Sequence, residues 1–396
     1  MKKISDFVLD MDESVTLAAS ARAKALKAQG KDIINLTLGE PDFTTPEKIK
    51  EAAKAAIDSG KASFYTQSGG LPELKEAVKS YWQRHYGYEI SAENVVVATG
   101  AKFALYTFFM TVLDSQDEVI IPAPCWVSYV DQVKMAGGKA VVVKTEQSHD
   151  FKVTVEQLEA AYTPKTKVLL LNSPSNPTGM IYTEAELHAI GEWAVAHDLL
   201  ILADDIYHQL VYNGATFTAI STLSEEIRKH TIVINGVSKS FAMTGWRIGV
   251  AVGDSEIIAG MTKLISQMTS NASAVSQYAA IEAFANPDMT DVETMRQAFE
   301  ERLNTIYPLL VEIPGFEVVK PNGAFYLFPK VTEAMKLTGY TDVTAFTTAI
   351  LEEANVALVT GAGFHAPENV RLSYATALPS LIEAVTRIKK WVESKV

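Results

Sequence analysis

Short β-branched and aliphatic runs alternate with longer helical patterns along most of this chain, an order that suits a parallel sheet covered by helices. The strand candidates are Val95–Ala98, Val119–Ile121, Ala140–Val143, Val168–Leu171, Leu199–Ala203, Thr231–Ile234 and Arg247–Val252. Their near-continuous Val, Ile and Leu content suits strands buried on both faces. Thr45-Pro46-Glu47 reads as a cap with proline at the first helical position, and Gly60 as the stop of that helix. Leu71-Pro72-Glu73 to Gly87 reads likewise, and a helix over Phe103–Leu113 follows the first strand.

After about residue 285 the pattern changes to a long helix over Asp291–Val311. Short strand candidates follow at Phe316–Lys320 and Ala324–Phe328, then helices near 342–353 and 379–393. This reads as a smaller α+β unit. The helix Ser14–Gln29 and the strand Ile33–Leu38 precede the large sheet and are expected to pack against that unit. The expected division is therefore 46–285 for a large unit, and 1–45 with 286–396 for a small one. No internal repeat or Gly/Ser linker interrupts the chain.

The 396 residues suffice for two or three domains, and an excess of 47 acidic over 35 basic side chains leaves a net charge of −12. That balance argues against non-specific binding to nucleic acid or to an anionic membrane, while allowing a local basic pocket. Cys125 is the lone cysteine, which removes a disulfide framework and any multi-cysteine metal site. Asp6, Asp10, Asp12 and Glu13 interrupt any apolar stretch after Met1-Lys2-Lys3, so no signal peptide is expected. No apolar run of ~18 residues follows. The expected compartment is the cytoplasm.

Two phosphate motifs fail on their context. Gly361-Ala362-Gly363-Phe364-His365-Ala366 matches G-x-G-x-x-A, but Pro367 follows and a strand begins near Val370, leaving no helix to receive a pyrophosphate. No G-x-x-x-x-G-K-[ST] occurs. Thr99-Gly100-Ala101-Lys102 is a better anion candidate, because glycine there opens a helix whose first N–H groups are free. Leu199 to Tyr207 is a buried strand that delivers Asp204, Asp205 and Tyr207 at its carboxyl end, where parallel sheets bind ligands. A helix cap is the bland reading of those acids, and a metal set of Asp204, Asp205 and His208 has no supporting histidine pattern. Lys239, just past the strand Thr231–Ile234 and among small and aromatic residues, is placed to lose part of its hydration. Desolvation lowers an ammonium pKa and frees a nucleophilic amine, although a surface lysine is the commoner outcome.

Ser238-Lys239 through Trp246-Arg247-Ile248-Gly249, the loop Asn172-Ser173-Pro174-Ser175-Asn176-Pro177-Thr178-Gly179 and the Asp204-x-x-Tyr207 pair together resemble class I aminotransferases of fold type I, which use pyridoxal phosphate. The three motifs stand in the family order with family-like separations, from about Gly39 to Tyr374. The resemblance implies an α/β fold in which a large domain with a mostly parallel seven-stranded sheet carries the cofactor and a smaller α+β domain closes over it. It also implies that Lys239 holds the cofactor aldehyde and shuttles a proton. Asp204 would pair with the ring nitrogen, Tyr207 and Asn176 with the phenolic oxygen, and Trp126 would stack on the ring. Gly100, Ala101 and Lys102 would receive the phosphate on backbone N–H groups, with Arg247 as a charged fork. Tyr65 resembles the tyrosine that reaches the phosphate of a neighbouring subunit, which implies a homodimer with shared sites. Many family members carry a serine three positions before the lysine; here it is Gly236, so either Ser238 substitutes or backbone and Arg247 suffice.

For the substrate, Arg371 in Asn369-Val370-Arg371-Leu372-Ser373 matches the family's bidentate arginine for the amino acid carboxylate, with Asn176 and Gly39 completing the clamp. In one branch of aspartate aminotransferases a partner arginine binds the distal carboxylate, yet this chain has none from Ile248 to Met295. It is more similar to the other bacterial branch, called Ib, in which a lysine and an N-terminal threonine serve. Lys102 and Thr16 stand at those places. The implied reaction moves an amino group between L-aspartate and 2-oxoglutarate in a two-stage cycle. The alternatives are an aromatic, alanine or prephenate aminotransferase, and a non-catalytic binding protein of the same fold.

Overall fold

The computed structural model describes residues 3–9, 11 and 15–396, so Asp10, Asp12, Glu13 and the first residue of the expected N-terminal helix lie outside the described residues. Seven strands form one sheet: β1 (Val95–Ala98), β2 (Glu118–Ala123), β3 (Lys139–Lys144), β4 (Thr166–Asn172), β5 (Leu200–Asp204), β6 (Thr231–Gly236) and β7 (Gly249–Val252). Their order is β1-β7-β6-β5-β4-β2-β3. Only β7 runs antiparallel to its neighbours, so the carboxyl ends of the six other strands and the start of β7 share one edge.

Strand pleating sends alternate residues to opposite faces, and both faces of this sheet are covered. Val95 and Val97 join one apolar cluster while Val96 and Ala98 join another; Leu169 and Leu171 divide from Val168 and Leu170 in the same way. This is why the strands read as unbroken apolar runs. One layer includes the helices Pro72–His85 and Ala274–Ala285, and the other includes Ala101–Val112 and Ser255–Met268.

A further apolar cluster joins Leu36 to Met295, Phe299 and Leu303 of the helix Thr290–Val311, and to Leu381, Ile388 and Trp391 of the helix Leu378–Glu393. Two small sheets accompany it. Ile34–Asn35 pairs in parallel with Val356–Ala357, and Val370–Ser373 lies antiparallel between Val359–Thr360 and Tyr326–Leu327. The N-terminal helix, Val15–Ala28, packs beside these strands, as expected.

Four local expectations need correction. The strand expected over Ile33–Leu38 pairs only at Ile34 and Asn35, because the Asn35 side chain takes both the N–H and the hydroxyl of Thr37 and turns the chain. Phe316–Lys320, between Gly315 at φ 77° and Pro321, forms only the Glu317–Lys330 bridge. The strand expected from Arg247 begins at Gly249, since Arg247 adopts the left-handed region at φ 57° after a 3₁₀ turn over Thr244–Trp246. Pro46 is the extended residue before the helix Glu47–Asp58 rather than its first residue. The glycines of the rejected nucleotide motif serve packing. A Cβ on Gly361 would lie 2.1 Å from the Asn369 carbonyl, and one on Gly363 would lie 2.2 Å from Val15.

Candidate active site

The shared edge of the sheet opens into a cavity of about 460 Å³. The parallel strands that reach it contribute at or just after their carboxyl ends. Ala101 and Lys102 follow β1, Trp126 follows β2, Asn176 follows β4, Asp204 ends β5 with Tyr207 one turn on, and Ser238 and Lys239 follow β6. Arg247 enters from the amino side of β7, which the antiparallel direction brings to the same edge. Thr16 and Gly39 from the N-terminal segment and Arg371 from the strand Val370–Ser373 also line it. Of the residues singled out from sequence, Gly100 lies just behind the lining. Tyr65 stands outside it, 89% exposed on the surface.

Lys239 is half-buried, and its ammonium donates to the Gly39 carbonyl. Burial drives its pKa down to about 8, and the cations of Arg247 and Arg371 push the same way against Glu40 and Asp204. Asp204 is buried, with one carboxylate oxygen 2.7 Å from the donating Tyr129 hydroxyl and the other 3.2 Å from the Ile206 N–H. Loss of hydration raises it to about 6, even though these donors and Lys239 favour the ionised form. It therefore remains mostly ionised at neutral pH. Asp205 turns away from the cavity to accept from Tyr86 at 3.1 Å, and burial raises it to about 8; His208 lies 2.6 Å from the Tyr81 hydroxyl. The two acids that looked alike in sequence thus have different surroundings.

Gly100, at φ 86°, precedes the helix Ala101–Val112, whose first N–H groups have no acceptor within the helix. A Cβ on Gly100 would lie 2.3 Å from Arg247 Nη2, and one on Gly249 would lie 2.3 Å from the Ala101 nitrogen. Two glycines thereby let a guanidinium and a helix N-terminus converge. At Gly236 a Cβ would meet the Ile248 carbonyl at 2.8 Å, which accounts for the small residue there, while Ser238 lines the cavity.

Arg371 is 2% exposed, donating to Asn176 Oδ1 and to the Thr37 carbonyl, each at 2.9 Å. Its Nε is buried with no partner among the described residues. The guanidinium lies 4.4 Å from the Tyr326 ring centroid, and the Tyr326 hydroxyl is 2.9 Å from that of Tyr207. Lys102 Nζ sits 4.7 Å from the Trp126 ring centroid, its pKa lowered by burial and then by Arg247. Tyr129, Tyr326, Glu40 and Thr244 were not assigned a role from sequence. Only the tertiary structure brings the hydroxyls of Tyr129 and Tyr326 to Asp204 and Tyr207.

A cavity at the carboxyl edge of a mixed seven-stranded sheet, with a desolvated lysine, a buried carboxylate and two arginines, suits a cofactor-bearing enzyme that handles anionic substrates. The family model described as aminotransferase class I and II matches residues 31–388. An asparagine–oxo-acid transaminase of Streptococcus mutans is 63% identical over 99% of this chain and 100% of its own. The aspartate aminotransferase of Bacillus subtilis is 52% identical over 99% of both. The solved structure of Thermus thermophilus aspartate aminotransferase with maleate superposes with a TM-score of 0.93 at 39% identity, covering 98% of this chain and 100% of that one. The chain belongs to the class I and II aminotransferase family. It is an aminotransferase of fold type I, and its cofactor is pyridoxal 5′-phosphate.

Proposed function

We propose that this aminotransferase exchanges the amino group between L-aspartate and 2-oxoglutarate. The observation that carries this is Lys102, a cation held over Trp126 in the cavity that also contains Arg371, which suits a substrate with two carboxylates. The maleate in the Thermus structure is a dicarboxylate of that kind.

The cavity fits the cofactor on four counts: the Gly100–Arg247 cradle for a phosphate, the ionised Asp204, the hydroxyl of Tyr207 and the low pKa of Lys239. When bound, the cofactor supplies an aldehyde for amines and a ring that withdraws electrons from the substrate carbon. Around it, the N–H groups of Gly100, Ala101 and Lys102 with Arg247 and Ser238 hold the phosphate. Asp204 keeps the ring nitrogen protonated, and Tyr129 fixes the carboxylate that does so. Trp126 would stack on the ring, and Tyr207 and Asn176 would donate to the phenolic oxygen. Lys239 Nζ would take the proton released from the substrate α-carbon and deliver it to the former aldehyde carbon, while Arg371, Asn176 and the Gly39 backbone would orient the α-carboxylate. Thr16 and Lys102 take the distal group. Residues 46–285 act as the cofactor domain, and residues 1–45 with 286–396 as the domain that closes over substrate and excludes water.

Tyr65 and Phe64, 89% and 75% exposed, support a homodimer in which Tyr65 would reach the partner's phosphate, and light scattering at the mass of two chains checks it. Among the described residues no helix is long and apolar enough to cross a membrane. The net charge of −12 supports a protein that engages neither nucleic acid nor anionic membrane.

The second reading is L-asparagine as donor, favoured by the relative at 63% identity. Lys102→Met separates the two. A charge-assisted hydrogen bond is worth about 1.5–3 kcal/mol, so the KM for aspartate should rise about 10–100-fold while that for asparagine, with a neutral amide, changes much less. Equal changes would defeat the distal-carboxylate assignment, and a larger kcat/KM for asparagine in the wild type would favour the second reading.

Lys239 also sets a pH dependence. Only the neutral amine attacks an aldehyde, so cofactor capture by apoprotein should speed up with rising pH and level off above about 8. An unperturbed lysine would keep accelerating beyond pH 10. Stopped-flow absorbance after adding pyridoxal phosphate distinguishes the two profiles.

A further inference from the structure

Lys239 and Arg247 stand at the two ends of a single loop, whose backbone hydrogen bonds are long although Arg247 Nη1 donates to the Thr244 carbonyl at 2.8 Å. Phe241 N to Val237 O is 3.2 Å, Ala242 N to Lys239 O is 3.4 Å, Met243 N to Ser238 O is 3.2 Å and Trp246 N to Met243 O is 3.2 Å. Two of its non-glycine residues, Ala242 at φ 50° and Arg247 at φ 57°, sit in the left-handed region, which L-residues avoid unless their surroundings impose it. The imposition comes from the segment Gly39–Thr45, which enters from the small-unit side of the chain. Besides the Lys239–Gly39 contact, Thr244 Oγ1 donates to Glu40 Oε2 at 2.8 Å.

The two remaining ties converge on one hydroxyl. Thr45 Oγ1 donates to the Ala242 carbonyl at 2.9 Å and accepts from Trp246 Nε1 at 3.0 Å, so both its proton and a lone pair are engaged. Thr45 is 9% exposed, with the helix Glu47–Asp58 starting two residues later, so its backbone is anchored independently of the loop.

We propose that Thr45 is a positioning residue. Its hydroxyl pins Ala242 and Trp246, and thereby fixes the separation and orientation of Lys239 and Arg247, the amine that attacks the cofactor aldehyde and the guanidinium on its phosphate. This rests on the proposed roles of Lys239 and Arg247.

The test compares Thr45→Val, which removes both hydrogen bonds at nearly constant volume, with Thr45→Ser, which retains them. In Thr45→Val we expect the Kd for pyridoxal phosphate, measured by equilibrium dialysis, to rise about 10-fold, equivalent to about 1.4 kcal/mol. The pH midpoint of the bound cofactor's absorbance should move, and kcat should fall more than KM rises. Thr45→Ser should restore all three. Trp246→Phe, which removes the indole donor together with part of the ring and leaves the Thr45–Ala242 bond in place, should give the same pattern at smaller amplitude and covers the case in which the valine variant does not fold. An unchanged cofactor Kd and absorbance midpoint, with only a lowered Tm, would overturn the proposal, as would a serine variant as impaired as the valine one. A wild type without a cofactor band that borohydride removes would instead defeat the roles given to Lys239, so the two failures are distinguishable.

Discussion

Lys239→Ala is expected to abolish turnover. The substitution removes both the amine that captures the cofactor and the group that moves the proton, and a positioned general base alone is typically worth ~10²–10⁴ in rate. The side chain projects from the loop after β6 into the cavity, so truncation should leave the sheet intact and enlarge a space already open to water. Circular dichroism and Tm should therefore stay close to wild type while coupled-assay activity disappears. Residual turnover above one part in ~10² would assign the proton transfer to another group.

Arg371→Leu is expected to have the next largest effect. Two of the five guanidinium N–H groups are engaged by Asn176 and Thr37, leaving Nε and two others for a carboxylate. Breaking a buried ion pair by removing one partner costs about 3–5 kcal/mol, so kcat/KM should fall about 10²–10⁴-fold. The loss should be alike for aspartate, asparagine and alanine, because all share the α-carboxylate. That uniformity separates Arg371 from Lys102, whose loss should discriminate among donors. Steady-state kinetics with the three amino acids measures it, and a loss confined to aspartate would move Arg371 to the distal carboxylate. Arg371→Lys should recover part of the activity, since a lysine keeps the charge without the planar fork.

The parts of the fold legible in the sequence are those in which local pattern and tertiary demand coincide. β1 matches its expected bounds because four small β-branched or apolar residues buried on both faces leave no other reading. Asp204 and Lys239 drew notice because one ends such a strand and the other follows one, at the edge where a parallel sheet binds ligands, but a helix cap and a surface lysine were the commoner readings and only the family resemblance gave them roles. Phe316–Lys320 has the composition of a strand but lacks a partner over most of its length, and pairing is not a local property. Arg247 looked like the first residue of a strand because the left-handed turn that aims it depends on Thr45, about two hundred residues away in sequence. Local pattern did not separate Asp204 from Asp205, which only the family resemblance told apart; the physical difference rests on Tyr129 reaching one carboxylate and Tyr86 the other.

The acidic composition gains meaning from the same geometry. A protein of net charge −12 gathers Lys102, Lys239, Arg247 and Arg371 around one cavity, with Asp204 and Glu40 as the carboxylates among them. That concentration of positive charge suits a phosphate and two carboxylates. Cys125 is buried beside this wall, its thiol pushed up to about 12 by loss of hydration, which makes it an inert filler rather than a nucleophile.

The most direct measurement is borohydride reduction of the wild-type protein loaded with pyridoxal phosphate, followed by peptide mapping. The cofactor absorbance should shift irreversibly, and the pyridoxyl phosphate adduct should be found on Lys239. An adduct on another lysine, or a protein that takes up the cofactor with no adduct after reduction, would contradict the assignment of Lys239 on which this account of the site depends.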